Sequence, residues 1–162
     1  MLFYAYDKHG GSDEHEAAKK LLFSLLAEHA SKEHKDATLE HDENGAPFLS
    51  KNGERVGGIY ISLSHSHGVC AAAISDLPIG IDIEHVRGHK GRERALEQRF
   101  LSRLDIPCTA TGEDTFFYKW TYAEACYKAC SVWSSDNITF FHRDITADGE
   151  RYILCVAQKS RH

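Results

Sequence analysis

Hydrophobic and polar positions along the chain follow two periods, and the order in which they occur predicts the elements. LFYAY at the start alternates weakly and predicts a strand. SDEHEAAKKLLFSLLAEHA places Ser12 as a cap and sets Ala17, Leu21 and Leu25, with Leu22 and Leu26, at helical spacing. ENGAPF and KNGER are turn signals. GIYISLSHS and VCAAAIS predict strands that meet at Gly68 as a hairpin, and IGIDIE predicts a further strand. A helix is expected from about Arg92 to Arg103, a loop over IPCTATGED and a strong helix over TFFYKWTYAEACYKAC. ITFFH and RYILCVA, separated by ADG, predict a closing hairpin. The order implies an α+β fold in one domain over 1–162, whose second half echoes the first, with halves of about 1–75 and 76–162.

IGIDIE, Ile79 to Glu84, poses a specific question. Side chains on a strand alternate between faces, so Ile79, Ile81 and Ile83 share one face while Gly80, Asp82 and Glu84 share the other. A strand apolar enough for a core sheet thus presents two carboxylates side by side. Something must face them.

Composition excludes several classes. The balance of 42% hydrophobic and 27% charged residues is that of a soluble globular domain, and no run reaches the length of a membrane span. MLFYAYDKHG is too short and too soon charged to act as a signal peptide. Five cysteines without a CxxC pair predict reduced thiols and a cytoplasmic protein. A net charge of −5 gives no reason to expect nucleic acid as a partner. That charge is uneven: the segment Arg87–Arg103 carries +4 and the remainder −9. Such a basic stripe either steers an anionic partner or is a solvated helix laced with i,i+4 pairs.

The helix WTYAEACYKAC brings a third acid. Trp120, Glu124 and Lys128 recur every four residues and so share a helical face, with Glu124 set among Ala123, Ala125 and Cys126. The plainer reading is an i,i+4 Glu–Lys surface pair. If Asp82, Glu84 and Glu124 instead converge, three carboxylates repel one another unless one stays protonated or a divalent cation joins them. Oxygen-only ligation favours Mg2+, with Mn2+ an alternative, and Mg2+ commonly takes substrate phosphates as further ligands.

IGIDIE, followed about forty residues later by WTYAEACYK, resembles the two-part signature of the 4′-phosphopantetheinyl transferases, [VI]-G-[VI]-D and [FW]-[SCT]-x-K-E-[AS]-x-x-K. NGAPF resembles the family's G-K-P segment, and SLSHSHG its S-H-S segment, in the order found in the surfactin-synthetase-activating type. The resemblance covers roughly Asn44 to Lys128. It implies two similar strand–helix–strand halves in a pseudo-two-fold arrangement. It also implies transfer of 4′-phosphopantetheine from coenzyme A to a serine of an acyl or peptidyl carrier protein. On that likeness Asp82, Glu84 and Glu124 hold Mg2+, and Asp82, Glu124 and Lys128 are catalytic, Glu124 as base toward the carrier serine. Ser64, His65, Pro47 and Lys128 contact coenzyme A.

Departures from the family pattern predict a weakened enzyme. Ala46 and Ala123 stand where the family has lysines near the coenzyme A phosphates, and His15 falls where larger members carry a phosphate-binding arginine. A charge-assisted hydrogen bond is worth roughly 1.5–3 kcal/mol, so each loss predicts one to two powers of ten in binding or rate. The alternative is a relative that binds coenzyme A or a carrier without efficient transfer. A zinc protein built on His85 and His89 is the weakest reading, because no cysteine pair completes the ligand set. Arg92, Arg94, Arg99 and Arg103 become candidates for docking an acidic carrier. A monomer is expected from two similar halves in one chain.

Overall fold

The computed structural model describes residues 1–9, 13–88, 91–107, 110–112 and 114–161, with the Arg92 side chain outside the description. Ser12, His89, Lys90 and Cys108 therefore lie outside the described residues. The elements run β1 (Leu2–Lys8), α1 (Glu14–His29), α2 (Lys32–Lys35), β2 (Thr38–His41), β3 (Pro47–Lys51) and β4 (Glu54–Arg55). They continue through β5 (Tyr60–Ser66), β6 (Val69–Ser75), β7 (Ile79–His85), α3 (Gly91–Arg99), α4 (Thr115–Cys130), β8 (Ile138–Ala147) and β9 (Glu150–Lys159). This is a mixed α+β architecture.

Two antiparallel sheets carry the fold. One has the order β1-β6-β5 and the other β7-β9-β8, so in each the leading strand pairs with the second strand of a hairpin. Between them lies an inner core of Val69, Ala71 and Ala73 on β6, Ile79, Ile81 and Ile83 on β7, and Tyr152, Leu154 and Val156 on β9. The isoleucine face of IGIDIE is therefore the inner one. Helix α1 covers the outside of the first sheet through Leu22, Leu25 and Leu26 against Ile61, Ala72 and Ile74. Helix α4 covers the outside of the second through Tyr122, Ala125 and Cys126 against Cys155 and Ala157.

The two sheets meet along β5 and β7 in a manner the chain spells out. No backbone ladder joins these strands. Instead the hydroxyls of Ser62, Ser64 and Ser66 accept the backbone N–H groups of Ile81, Ile83 and His85 at 3.0, 3.2 and 3.1 Å. Alternate residues of β5 point toward β7, so a period-two run of serines satisfies three successive donors of that strand's free edge. Buried backbone donors without partners are costly, and this seam avoids the cost with side chains. At the opposite margin the sheets approach through Tyr4 and Phe141, with ring centroids 5.3 Å apart, and through a Lys8–Asp148 ion pair.

Several sequence expectations shift by small amounts. Asp13 caps α1, its Oδ1 accepting from Glu16 N at 3.0 Å. The helix expected over Arg92–Arg103 is α helix only over Gly91–Arg99, and Leu101–Arg103 tightens into a 3-10 turn. Strand β8 runs beyond ITFFH to Ala147, because Arg143–Ala147 keeps the ladder with β9. The turn signals at ENGAPF and KNGER are flanked by a third sheet, β2-β3-β4, and Asn52 and Gly53 take φ of 55° and 80°, the two positive values of a tight hairpin turn. These strands hold four, five and two residues, too few to show a period in sequence. Cys70, Cys126, Cys130 and Cys155 are free thiols. No helix among the described residues is long and apolar enough to cross a membrane.

Candidate active site

What faces the carboxylate side of β7 is helix α4. The contact is made possible by Gly80, where a Cβ would overlap the Ala125 carbonyl oxygen and lie 2.9 Å from Lys128 Cβ. A glycine inside a strand of branched residues marks close backbone approach, here of a helix. Of the next outward-facing residues, Asp82 meets Lys128 and Glu84 meets the Trp120 indole, nearer the start of α4.

Asp82 is 5% exposed and lies at the centre of this arrangement. Its Oδ1 accepts from Lys128 Nζ at 2.8 Å and from Ser64 Oγ at 3.0 Å, whereas its Oδ2 is buried without a partner. Lys128 also donates to the carbonyls of Ile81 at 3.0 Å and Leu63 at 3.5 Å, so its ammonium bridges both strands of the seam. The surface i,i+4 pair considered for Glu124 and Lys128 is not what forms: Lys128 turns inward to Asp82.

The two glutamates both register Asp82 and Lys128 electrostatically. Burial pushes the Glu84 carboxyl up to about 7, and the Asp82 charge pushes the same way; Arg87, the Trp120 indole and Lys128 oppose the rise. Glu124 is raised by burial and then by Asp82, with Lys128 opposing. Asp82 is thus the common neighbour of both acids. Among the described residues, no group of three or more His, Cys, Asp or Glu side chains is arranged closely enough to hold a metal ion. Asp82, Glu84 and Glu124 share one neighbourhood without closing into a coordination sphere. Their donor set is nonetheless hard oxygen, and the orphaned Oδ2 is the kind of atom a cation would satisfy.

The remaining expected residues divide into two places. Ser64 belongs with Asp82. His65, the next residue, points to the other face of β5, where its Nδ1 is 2.8 Å from Glu14 Oε2. Glu14, at the start of α1, also accepts from Gly68 N at 2.6 Å. That bond and His65 hold its carboxyl below the usual range. Pro47 opens β3 opposite His41, whose ring is 5.7 Å from that of His15 on α1. The hydrogen bonds of the Pro47 turn run from Asn44 N and Ala46 N to Asp42 Oδ1 and stay within it. Pro47 and His65 accordingly both lie toward the first turn of α1, away from the acidic face of β7. His85 bonds Glu150 at 2.6 Å and stacks on His67, with ring centroids 4.5 Å apart.

Two contributors escaped the sequence reading. Glu14 carried no signal, because it is one acid in a charged run. Gly80 did carry one, since a glycine between isoleucines is unusual in a core strand, but the partner it admits could not be read from spacing.

No family model matches the chain. The chain is similar to 4′-phosphopantetheinyl transferase psf-1 of Bacillus pumilus, at 26% identity over 163 aligned residues that take in 91% of this chain and 66% of that protein. The chain therefore spans just under two thirds of that relative's length. The likeness agrees with the resemblance carried by IGIDIE and WTYAEACYK.

Proposed function

We propose that the chain transfers 4′-phosphopantetheine from coenzyme A to a serine of an acyl or peptidyl carrier protein. The observation that carries the reading is the acidic face of β7 under α4. There a buried Asp82 keeps one oxygen without a partner, and burial, with the Asp82 charge adding to it, raises the carboxyls of both Glu84 and Glu124. The similarity to psf-1 supports the same reading. Asp82, Glu84 and Glu124 would hold Mg2+, which supplies charge neutralisation at the diphosphate. The equal strand order of the two sheets supports a pseudo-two-fold relation between halves of a single domain. Free thiols suit a reducing, cytoplasmic setting.

In the reaction the carrier serine Oγ attacks the phosphorus next to pantetheine. The new Oγ–P bond forms as the bond to the bridging diphosphate oxygen breaks, and adenosine 3′,5′-bisphosphate leaves with that oxygen. The serine proton passes to Glu124, which α4 carries beside the acidic face of β7. Positioning contributes most in such transfers, and α4 supplies it by carrying Glu124 and Lys128 one turn apart against β7.

A second reading is favoured by the nucleotide end. Glu14 places a carboxylate on His65, and Ala46 and Ala123 replace family lysines, so anion binding there is poorer than the family pattern implies. This supports a chain that binds coenzyme A or carrier and transfers slowly. Incubation with coenzyme A, Mg2+ and several apo carriers, read by intact mass, tests both. Gain of the pantetheinyl arm, abolished by Glu124→Gln, supports transfer; calorimetric binding without mass gain supports the second reading. Neither binding nor gain overturns both.

A further inference from the structure

The two oxygens of Asp82 do different things, and the difference reassigns Ser64. Oδ1 takes two donors, Lys128 Nζ at 2.8 Å and Ser64 Oγ at 3.0 Å. Oδ2 takes none, although Asp82 is 5% exposed. The hydroxyl of Ser64 has a single proton, and it is given to Asp82. Its lone pair meanwhile receives Ile83 N at 3.2 Å. Ser64 is 8% exposed, so no donor remains on it for a phosphate. Lys128 is likewise committed, with acceptors on Asp82, Ile81 and Leu63 for its three ammonium protons.

We propose that Ser64 is a positioning residue for Asp82, fixing Oδ1 so that Oδ2 is presented to a divalent cation, and is not a contact to coenzyme A. The inference rests on the reading of Asp82, Glu84 and Glu124 as cation ligands. Carboxylates that ligate metals are oriented by hydrogen bonds to their second oxygen, and loss of such a bond commonly lowers metal affinity about 10–100-fold. Lys128 shares the anchoring, but its charge also opposes a nearby cation, so its replacement changes two terms of opposite sign. Ser64 is neutral and isolates one.

The seam provides its own control. Ser62 accepts Ile81 N at 3.0 Å just as Ser64 accepts Ile83 N, and it is 3% exposed, but no described hydrogen bond links it to a carboxylate. Damage to the seam alone should affect Ser62→Ala and Ser64→Ala equally. Mn2+ titrated into the full chain without substrate, followed by electron paramagnetic resonance, reads the cation directly. Coenzyme A titrated at saturating Mn2+ reads the nucleotide. Ser64→Ala is expected to weaken Mn2+ at least tenfold, Ser62→Ala to leave it within threefold, and Ser64→Thr to restore it. Coenzyme A affinity should stay within threefold in all three. Equal Mn2+ affinities for Ser64→Ala and Ser62→Ala overturn the inference, as does a tenfold loss of coenzyme A affinity confined to Ser64→Ala. In either case a wild-type chain that still binds Mn2+ leaves the reading beneath it intact. A wild-type chain that neither takes up Mn2+ nor transfers the arm overturns both. Melting curves keep the comparison sound, and should Ser64→Ala fail to fold, Ser64→Cys, which keeps a weak donor, carries the same test.

Discussion

The two halves of the molecule set a helix on the outside of a three-stranded sheet, and the sheets have the same strand order, yet they use the helix–sheet interface for opposite ends. Under α1 the contact is aliphatic: Leu22, Leu25 and Leu26 meet Ile61, Ala72 and Ile74. Under α4, at β7, the contact is made of Gly80, Asp82 and Glu84 beneath Ala125 and Lys128. The first half gains stability from buried hydrocarbon. The second gives up part of that gain to keep three carboxylates and one ammonium close together in a partly desolvated place. Even the insertions differ, with α2 and β2–β4 following the helix in the first half and α3 preceding it in the second. Equal strand order therefore leaves the two interfaces free to differ in polarity.

The comparison is broken most severely at Gly80. A Cβ there would lie 2.8 Å from the carbonyl carbon of Ala125, a backbone atom that cannot swing away as a side chain can. Gly80→Val is expected to cost more than about 3 kcal/mol or to prevent folding, because α4 must lift off the strand. Thermal melts decide it. Ala5→Val, at a helix-facing position of β1, should cost less, since the neighbours of Ala5 are side chains of the aliphatic cluster. If Gly80→Val melts with the wild type, the close approach is not what sets the site.

Next in size is Leu26→Ala, in the middle of the α1 interface and fully buried. Removing a core leucine costs about 2–5 kcal/mol. The expected signature is a lower melting temperature with unchanged Mn2+ affinity. A matching loss of cation affinity would mean that the two interfaces are not independent.

The sequence made these two interfaces unequally legible. The leucines of α1 announce themselves by helical spacing, and the hairpins by their turns, because both are local patterns. Asp82, Glu84, Glu124 and Lys128 stood out as chemistry, but their spacing held nothing about which oxygen of Asp82 is bonded or where Lys128 points. Those facts depend on how β5 and β7 meet. Ser62, Ser64 and Ser66 were visible as a period-two run, yet hydroxyls that replace a backbone ladder are a tertiary event. The motif singled out His65 but not its surroundings: its side chain lies on the α1 side of β5, engaged by Glu14. Glu14 was invisible because nothing local distinguishes it from Glu16.

The halves should also respond to pH with opposite sign. Glu84 rises from an ordinary 4.5 to about 7 in the folded chain. As pH climbs through that window the unfolded chain ionises first, so stability falls between about 4.5 and 7 and the penalty is complete above it. A shift of this size corresponds to roughly 3–4 kcal/mol at most. Glu84→Gln, measured with chelator present, should therefore gain melting temperature at pH 8 and little at pH 5. Glu14 behaves the other way. Its carboxyl is lowered by Gly68 N–H and by His65, so its contribution is present above its unfolded value and is lost as pH falls through the folded one. Glu14→Gln should lose about 1 kcal/mol at pH 7, a hydrogen bond to a charged group discounted for solvent screening, and less as pH falls through the folded value. The same sign for both variants at pH 8 would remove the contrast.

The smallest effect on stability, and the finest test of where function lies, concerns the basic stripe. Arg94, Arg99 and Arg103 are exposed on α3 and the turn after it, and no ion pair among the described residues involves them. Reversing Arg99 and Arg103 to Glu should change stability by less than about 0.5 kcal/mol, as surface substitutions do. It should, however, raise the KM for an acidic carrier and flatten the salt dependence, since rim charges act on encounter more than on packing. Helix α2 offers the counterpart in the first half, with Lys32 and Lys35 exposed on a comparably charged surface. If the carrier docks beside the carboxylates, reversal of Lys32 and Lys35 changes neither KM nor its salt slope. Were both pairs to act alike, the effect would come from net charge alone, because a chain of net charge −5 made more acidic repels an acidic partner wherever the charge is placed. A difference between the pairs, measured at equal ionic strength, therefore separates a docking face from a global field.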